Sequence, residues 1–582
     1  MGVRYLLYFM ERKVQGGTYN VRIDQEIRKA KEKGDSPLIV IDLMALFGMA
    51  CADKRSLLCG SQVMLAERLI GEFFARLTAA GAELVFFYDG STVKTKHDTW
   101  CSRQNDKYDR MLEILDAFDR RVPLVKVAEQ YGRAIPHNTN IELKRVAKLH
   151  GKLIVSMHVE CDQALAAYAT EHKALAVLSH DTDFLIFPGE WQLWSAEHID
   201  QQTLATRAYN RHALLRTLEL RWDEIGVWAS LAGNDFFTYD ELEPFLNNLG
   251  QHNQKFYRLA SYVRSLPVSK GLDDATVRSI LGRVYKNRSM PLDAFEWFRN
   301  SINFYKIDKQ SYDANPPMDA MTAFLLQADQ QFVHTVLNGG SHNCTLLFFD
   351  YRTDEFGNYS ELIAPIISRI GGIILYHNQH ERQHVTVLMK RNHQEPYGFS
   401  DIAVTFPSTL TPPHIMELLS PDPDIKAALF ERKLQLLSWV CSDDFLAPGL
   451  AQEFLALPPS LMLTVVVLYR LRQYGAIRKF EADLLLLIGH QLTTGVFDPT
   501  RELHPDRLVA RAFRLGFLFQ KVYSHFARVA RAIGLPREYR PSAPYDGHRF
   551  HNQYRIWNSR RVEDEHIAPI ADWRLYKRIN RT

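Results

Sequence analysis

The sequence predicts an α/β protein in which residues 1–240 form a parallel, doubly wound sheet. Two observations lead to this prediction. Short apolar runs alternate with helical patterns, and carboxylates stand at or just after the ends of these runs. Strands that alternate with helices favour a parallel sheet. The predicted strands are LIVID (38–42), ELVFFYD (83–89), KLIVSM (152–157) and ALAVLS (174–179), and the predicted helices include 62–80, 161–172 and 222–232.

The chain changes character after these elements. Residues 236–330 read as helical, whereas 340–407 hold the strand-like runs TLLFFDY, GGIILYHN, HVTVLMKR and IAVTF between polar turns. The proline-rich piece 411–423 marks a boundary, and 425–535 again reads as helices. The predicted domains are therefore an α/β domain (1–240), a helical extension (241–330), a β-rich domain (331–423) and a C-terminal helical domain (424–582).

The bulk composition is that of a globular protein. With 582 residues, 46% hydrophobic and 24% charged, two to four domains are expected. A net charge of only +3 gives no global nucleic-acid signature, so any basic surface is local. The six cysteines show no C-x-x-C spacing, which fits a reducing compartment. The richest late run, LMLTVVVLYRLR, is too short to span a bilayer, so no membrane contact is predicted.

Seven acids carry the functional prediction. The carboxyl ends of parallel strands share one edge of the sheet, which is where ligands usually bind, so these acids are expected to lie together. Such a cluster repels itself unless cations neutralise it, and hard oxygen ligands suit Mg²⁺ or Mn²⁺. Two ions can stabilise both oxygens of a phosphodiester displacement. The seven acids are Asp42, Asp89, Glu160, Asp162, Asp181, Asp183 and Asp235.

Each acid also has an interpretation without metal. Glu160 and Asp162 could serve a helix N-terminus, where carboxylates are favourable. Asp42 and Asp89 could be cap or turn acids, and Asp235 after Gly-Asn could form an Asx turn. A shared metal site is favoured because these separate explanations would all have to hold at successive strand ends.

A basic stretch follows the second predicted strand. Residues 94–152 contain 13 Lys or Arg against 8 Asp or Glu, with Trp100 and Tyr108 interleaved. Cations contact phosphates and aromatic rings stack on bases, so this stretch is a candidate nucleic-acid surface; a solvated helix face is the alternative. Lys96 and Arg103 are seven residues apart and share a face if this stretch is helical. Both are predicted to point at a phosphate beside the metals.

Two other features have ordinary explanations. The basic amphipathic stretch Arg501–Arg531 could bind nucleic acid or a partner, but more often such a stretch is one buried face with a charged rim. His158, His180 and His342 are predicted to be ordinary polar residues, because no His-x-x-x-His or Cys/His pairing supports a zinc site.

The motifs and their order resemble the flap-endonuclease/XPG-like superfamily, whose catalytic fold is PIN-like. The resemblance covers roughly residues 1–240 and rests on MGV at the start, VIDLM, FFYDG, VECDQALAAYA, LSHDTDFLIF and LAGNDFF. It implies that the seven acids hold two Mg²⁺ ions, and that Lys96 and Arg103 are the catalytic basic pair on a helical gateway. One departure is that the segment after Asp235, FFTYDELEPFLNNLGQHNQKFY, lacks the paired glycines with which flap endonucleases grip duplex DNA.

Within the superfamily the sequence resembles the asteroid-like branch, and most of all the constitutive coactivators of peroxisome proliferator-activated receptor gamma. The likeness extends to KHDTWCSRQNDKYDR, DAFEWFRNSINFY, LVARAFRLGFLFQKVY and PYDGHRFHNQYR. It implies a nuclear or cytoplasmic protein linked to RNA binding or transcriptional coactivation, with protein partners for the C-terminal half.

Two functions are therefore expected. The first is a Mg²⁺-dependent, structure-selective nuclease that acts on single-stranded or junction-containing DNA or RNA. The alternative is a non-catalytic RNA-binding or coactivator scaffold that retains the nuclease fold, since fold alone does not give function.

Overall fold

The computed structural model describes residues 2–50, 53–90, 97–132, 142–157, 159–250, 254–286, 288–307, 319–442 and 457–559. The chain divides into two compact units. The first unit comprises Met1–Met49, Ile70–Thr99 and Leu143–Pro317, and the second comprises Ala50–Leu69, Trp100–Glu142 and Met318–Thr582. Within the described ranges, no helix has both the length and the apolar character needed to cross a membrane. The four-domain division drawn from the sequence stays a prediction.

The first unit is built on a seven-stranded sheet. Its strands are β1 Thr18–Arg22, β2 Leu38–Asp42, β3 Glu83–Asp89, β4 Lys152–Ser156, β5 Ala176–Ser179, β6 Gln192–Ser195 and β7 Ala205–Tyr209. They run in the order β1-β7-β6-β5-β2-β3-β4. The five neighbours from β6 to β4 are parallel, whereas β7 pairs antiparallel with both β6 and β1. The α/β class with a mostly parallel sheet is thus confirmed.

The central strands are apolar because they are buried on both faces. In β2 the residues Leu38–Ile41 are all buried, and Leu84–Phe87 of β3 are as well. Near-continuous apolar runs are typical of such parallel strands. The register sets Asp42 beside Phe87, and Asp89 beside Ser156. Each run therefore delivers its terminal acid to the same edge of the sheet.

Helices cover this sheet and extend beyond it. The helix Ile23–Lys33 shows how the local sequence sets its ends: Asp24 and Glu26 lie in its first turn, and Gly34 stops it with a φ of 79°. The other helices of this unit are Leu6–Arg12, Leu143–Ala147, Cys161–Glu171, Arg211–Leu218, Trp222–Ala232, Tyr239–Leu249, Lys255–Arg264, Asp274–Val284 and Ala294–Phe304. Three helices hold residues assigned to both units: Phe47–Ala50, Val63–Ala80 and His97–Asp119.

The second unit is mainly helical and contains a small sheet of β8 (Ser341–Asn343), β9 (His384–Met389) and β10 (Gly398–Ala403) in the order β10-β9-β8. β9 pairs antiparallel with β10 and parallel with β8. Its helices are Lys54–Leu58, Leu124–Tyr131, Ala320–Gln327, Gln331–Leu337, Tyr359–Ile374, Ile415–Leu418, Pro423–Ala428, Phe430–Cys441, Met462–Gln473, Lys479–Thr493, Ala510–Ala532 and Gly547–Ser559.

Two of the four strands predicted for 340–407 are wrong. GGIILYHN begins inside the helix Tyr359–Ile374, whose residues are buried over most of its surface. TLLFFDY is buried but forms no ladder, and Phe348 stacks on Phe517 with ring centroids 4.0 Å apart. Short apolar runs do not distinguish a strand from a buried helix or a buried loop. HVTVLMKR does form β9, and IAVTF overlaps only the end of β10.

The basic stretch of the C-terminal half lies mostly on the helix Ala510–Ala532. Its arginines are engaged inside the second unit: Arg511 bonds Glu481 through Nε at 2.7 Å, and Arg514 bonds Glu355 at 2.9 Å. The apolar side of the helix is buried. This helix is therefore a buried face with a paired, charged rim.

Candidate metal centre

Four of the predicted acids follow neighbouring parallel strands. Asp42 is the last residue of β2 and Asp89 the last of β3, while Asp181 and Asp183 follow directly after β5. β2 lies between β3 and β5 and is parallel to both. All four residues therefore stand at the carboxyl edge of the sheet, where the sequence predicts them.

Three acids come close enough together to hold one ion. One carboxylate oxygen from each of Asp162, Asp181 and Asp183 lies within 4.8 Å of the others. Asp162 sits in the first turn of the helix Cys161–Glu171, and Asp181 caps the short 3₁₀ helix Thr182–Leu185. Asp181 is 7% exposed and Asp183 only 2% exposed. Buried carboxylates at this separation are costly without a cation between them.

Asp42 is half-buried and held by neighbouring groups. The Ser179 hydroxyl donates to Asp42 Oδ2 at 2.8 Å, and the Met44 and Ala45 amides donate to Oδ1 at 3.1 and 3.3 Å. Burial and then the negative charge of Asp89 raise the pKa of Asp42 to about 7, with Asp181 adding to the effect. Asp42 therefore caps the turn after β2, as one interpretation of the sequence had it, and also belongs to the acid group.

The thiol of Cys161 lies in the field of the same acids. Burial raises the pKa of Cys161 well above its usual range, and the charges of Asp89, Asp162 and Asp42 raise it further. Cys161 also hydrogen-bonds the Asp89 side chain. Asp89 is thereby tied to the helix that carries Asp162, although its own side chain is exposed.

Tyr305 orients Asp183 from the helical segment that follows the sheet. Its hydroxyl donates to Asp183 Oδ1 at 2.6 Å and accepts from Asn234 Nδ2 at 3.2 Å. The Ser301 hydroxyl in turn donates to Asn234 Oδ1 at 3.0 Å. All four residues are buried. The helix Ala294–Phe304 and its C-cap Tyr305 thus support the site, a contribution that the sequence did not predict.

Glu160 and Asp235 are half-buried and flank the cluster. Glu160 is the N-cap of the helix Cys161–Glu171, but its side chain makes no capping hydrogen bond. Asp235 adds its charge to those acting on Tyr305. The turn after Trp222–Ala232 is formed by Asn234, which accepts from the Phe236 and Phe237 amides at 3.1 Å each. Glu160 and Asp162 thus both stand at the N-terminus of the helix Cys161–Glu171, so the helix-terminus explanation and metal binding both stay open for them, whereas the Asx turn after Trp222–Ala232 is made by Asn234.

Gly2 packs directly against the acid pair. A Cβ at this position would stand 2.3 Å from Thr182 Oγ1 and 2.8 Å from one oxygen each of Asp181 and Asp183. Its φ of +74° is also unfavourable for residues with a side chain. The glycine of the initial MGV motif is thus explained by close approach of the backbone to the carboxylates.

Only one residue of the predicted basic pair, Arg103, lies among the described residues. Lys96 lies outside the described residues, as does His158. Arg103 is half-buried in the helix His97–Asp119 and belongs to the second compact unit. Its charge acts on Lys107, whose pKa is lowered by burial and then by Arg103. The catalytic role of Lys96 and Arg103 stays a prediction.

The donor set fits a hard divalent cation. Every side chain of the cluster Asp162, Asp181 and Asp183 offers carboxylate oxygen, and Asp42 adds another at the same edge. Mg²⁺ and Mn²⁺ prefer such ligands, whereas zinc prefers nitrogen and sulfur. Ser179, Asn234 and Tyr305 were missed from the sequence, since an isolated serine, asparagine or tyrosine carries no local signal of a carboxylate partner.

No model of a known protein family matches the chain. Among solved structures, it is similar to human GEN1 in complex with Holliday junction DNA, with 14% identity and a TM-score of 0.34 over 57% of this chain and 73% of that one. It is also similar to the catalytic core of Rad2 in complex with a DNA substrate, with 15% identity and a TM-score of 0.27 over 55% of this chain and 86% of that one.

Curated relatives give the likeness in sequence. Constitutive coactivators of peroxisome proliferator-activated receptor gamma are 27% identical over 223 residues in Bos taurus, 27% over 226 in Homo sapiens and 28% over 229 in Mus musculus. The matched segment spans 31%, 24% and 28% of these relatives, respectively. The resemblance seen in the motifs is confirmed: over 38–39% of its length, the chain is similar to the constitutive coactivators of peroxisome proliferator-activated receptor gamma.

Proposed function

We propose that the first unit is a Mg²⁺-dependent nuclease that hydrolyses phosphodiester bonds of DNA or RNA. The observation that supports this most is the group Asp162, Asp181 and Asp183, whose oxygens lie within 4.8 Å of one another at the carboxyl edge of the sheet. Carboxylates this close together repel one another unless a proton or a cation lies between them, and a divalent cation beside an open sheet edge suits phosphate chemistry.

The proposed division of labour follows the geometry. Asp162, Asp181 and Asp183 hold one ion, and Asp42, Asp89, Glu160 and Asp235 complete a site for two Mg²⁺ or Mn²⁺ ions. When bound, two such ions stabilise the charge on the attacking and leaving oxygens. Tyr305 fixes Asp183, and Ser179 fixes Asp42, so the ligand oxygens are held before metal arrives. Lys96 and Arg103 are proposed to bind the phosphate.

We propose single-stranded or junction-containing nucleic acid as the substrate class. After Asp235 the chain turns into the helix Tyr239–Leu249 without the paired glycines of a duplex-gripping motif. The second unit is the proposed surface for protein partners, and nucleus or cytoplasm the proposed location. These proposals follow from the sequence motifs and from the likeness to coactivators.

Cleavage of a mixed panel tests the proposal. Purified protein is incubated with end-labelled single strands, flaps, junctions and duplexes of DNA and RNA in Mg²⁺, in Mn²⁺ or in chelator. Cleavage is expected only with metal, and Asp183→Asn should reduce its rate by at least about 100-fold, since loss of a metal ligand costs more than loss of an outer-shell partner. Asp35→Asn, an exposed acid of the same unit, is the matched control and should cleave normally.

The competing function is a scaffold that binds RNA or protein without cleaving. It is favoured by the likeness to coactivators, which is the stronger of the two resemblances in sequence identity. Metal-dependent nucleic-acid binding without cleavage anywhere in the panel would support the scaffold and reject the nuclease. Equal cleavage by the wild type and by Asp183→Asn would reject the acid site as its source.

A further inference from the structure

A second cluster of metal-ligand side chains lies inside the second unit. His342 is in β8, Cys344 follows that strand, and His525 is on the helix Ala510–Ala532. One ring nitrogen of each histidine and the Cys344 sulfur lie within 4.8 Å of one another. Exposed fractions are 9% for His342, 0% for Cys344 and 1% for His525. Cys344 is a free thiol.

The hydrogen bonds around His525 indicate which of its ring nitrogens can accept a metal ion. The Tyr359 hydroxyl donates its one proton to the Cys344 carbonyl at 3.0 Å, so its contact of 3.1 Å with His525 Nε2 requires that Nε2 carries the proton. In a neutral ring Nδ1 then holds the lone pair. His525 Nδ1 is buried and has no hydrogen-bond partner within the described part of the chain.

His342 offers the same feature. Its Nε2 is buried and lacks a hydrogen-bond partner among the described residues. The ring is held in place edge-on to Phe332, with centroids 4.6 Å apart. Burial of an imidazole nitrogen without a hydrogen-bond partner is costly, and the neighbouring rings of His342 and His525 each have such a nitrogen. Burial also lowers the pKa of His342 and of His525 well below the usual range, so both rings are neutral.

The spacing is close to that of a tetrahedral ion. With metal–nitrogen bonds of about 2.0–2.1 Å and a metal–sulfur bond of about 2.3 Å, ligand atoms lie roughly 3.5 Å apart. The ligand atoms lie within 4.8 Å of one another, so an ion would have to draw them together by at most about 1 Å. Two imidazoles and a thiol suit Zn²⁺ or another thiolate-binding ion and not Mg²⁺.

Two basic residues lie near this cluster. Lys521 and Arg528 stand one turn before and one turn after His525 on the same helix. Burial, and then the charge of Arg528, lower the pKa of Lys521 to about 7, so this amine gives up its proton more readily than an exposed lysine. With three protein ligands, one tetrahedral position is left for a small fourth ligand.

We propose that His342, Cys344 and His525 form a metal site for Zn²⁺ or a similar thiolate-binding ion, separate from the acid cluster. His525 binds through Nδ1, and Tyr359 positions its ring from the outer shell. From the sequence, His342 was predicted to be an ordinary polar residue, because His525 is distant from His342 and Cys344 along the chain.

Cobalt substitution tests the proposal on the full chain. Metal-free protein is titrated with Co²⁺, and a thiolate-to-cobalt charge-transfer band is expected in the near ultraviolet, since only a sulfur ligand produces it. Cys344→Ser should lose the band. Cys441→Ser, a buried free cysteine of the same unit, should keep it, and so should Asp181→Asn in the acid cluster. Absence of the band in the wild type, or its persistence in Cys344→Ser, overturns the site.

Two further measurements hold even if Cys344→Ser does not fold. Tyr359→Phe removes only the hydroxyl and is expected to weaken Co²⁺ binding about 10–100-fold, as outer-shell changes do. X-ray absorption of the wild type with Zn²⁺ should show one sulfur at about 2.3 Å and nitrogens at about 2.0–2.1 Å. A zinc environment without sulfur contradicts the proposal.

Discussion

Replacing Tyr305 by phenylalanine isolates one support of the acid cluster. The substitution keeps the ring, which packs on Phe187 and Phe304 with centroids 5.5 and 5.0 Å apart, and removes only the hydroxyl. Asp183 Oδ1 loses a donor at 2.6 Å, and the buried amide of Asn234 loses its acceptor at 3.2 Å.

The size of the effect follows from these two bonds. A hydrogen bond to a charged group contributes about 1.5–3 kcal/mol, and a buried amide left without a partner adds about 1 kcal/mol. The free energy of unfolding should therefore fall by about 2.5–4 kcal/mol, which lowers the Tm by roughly 5–15 °C. Because Tyr305 also orients a proposed ligand, Mg²⁺ should bind about 10–100-fold more weakly.

Thermal unfolding at increasing Mg²⁺ measures both quantities. The Tm in chelator reports the lost hydrogen bonds, and the Mg²⁺ concentration at which the Tm rises reports affinity. Tyr285→Phe is the matched control, since its hydroxyl donates to Glu241 at 3.1 Å in the same unit. It should lower the Tm without changing the Mg²⁺ response. An unchanged Mg²⁺ response in Tyr305→Phe would refute the orienting role.

Three further predictions use other contacts. Gly2→Ala should weaken Mg²⁺ binding, because the added Cβ would meet the carboxylate oxygens of Asp181 and Asp183. Gly16→Ala is the control, since Gly16 has a similar φ and a Cβ there would meet no atom within 4 Å. Equal Mg²⁺ titrations for the two variants would count against a role of Gly2 at the acid pair. Burial and the neighbouring acids raise the pKa of Asp42 to about 7 in the folded protein, so the stability of the metal-free protein should fall as the pH rises from about 4 to about 7. In chelator, the Tm of Asp42→Asn should change less with pH than the Tm of the wild type. Identical pH profiles for the two proteins would contradict the raised pKa. Arg514→Leu should cost about 1.5–3 kcal/mol in urea unfolding, because it removes the charged hydrogen bond to Glu355 and the ion pair with Asp350, which keep Arg511 and Arg352 as partners. Nucleic-acid affinity should stay intact, and its loss at full stability would restore the nucleic-acid interpretation of the helix Ala510–Ala532.

The sheet and its acids could be predicted because their signals are local. An apolar run that ends in aspartate, as at Asp42 and Asp89, predicts a strand and also which end of that strand carries the acid. Parallel order then brings these ends together without any knowledge of distant contacts. The edge strand β1 was missed because only Val21 of its five residues is buried, so no apolar run marks it.

The supports of the site could not be read in the same way. Tyr305 reaches Asp183, and Ser179 reaches Asp42, across separations of 122 and 137 residues. Nothing near either residue in the sequence indicates these partners. The helix Tyr359–Ile374 was mistaken in part for a strand because its buried residues GGII lack a polar face that would reveal a helical period.

The central claim is that Asp162, Asp181, Asp183 and the acids around them form a divalent metal site, and counting bound Mn²⁺ ions tests this claim most directly. Mn²⁺ is titrated into metal-free wild type and Asp181→Asn, with bound ion followed by electron paramagnetic resonance. We expect up to two Mn²⁺ ions per chain in the wild type, displaced by Mg²⁺, and the loss of at least one of them in Asp181→Asn. The same number of ions bound with the same affinity in both proteins would contradict it.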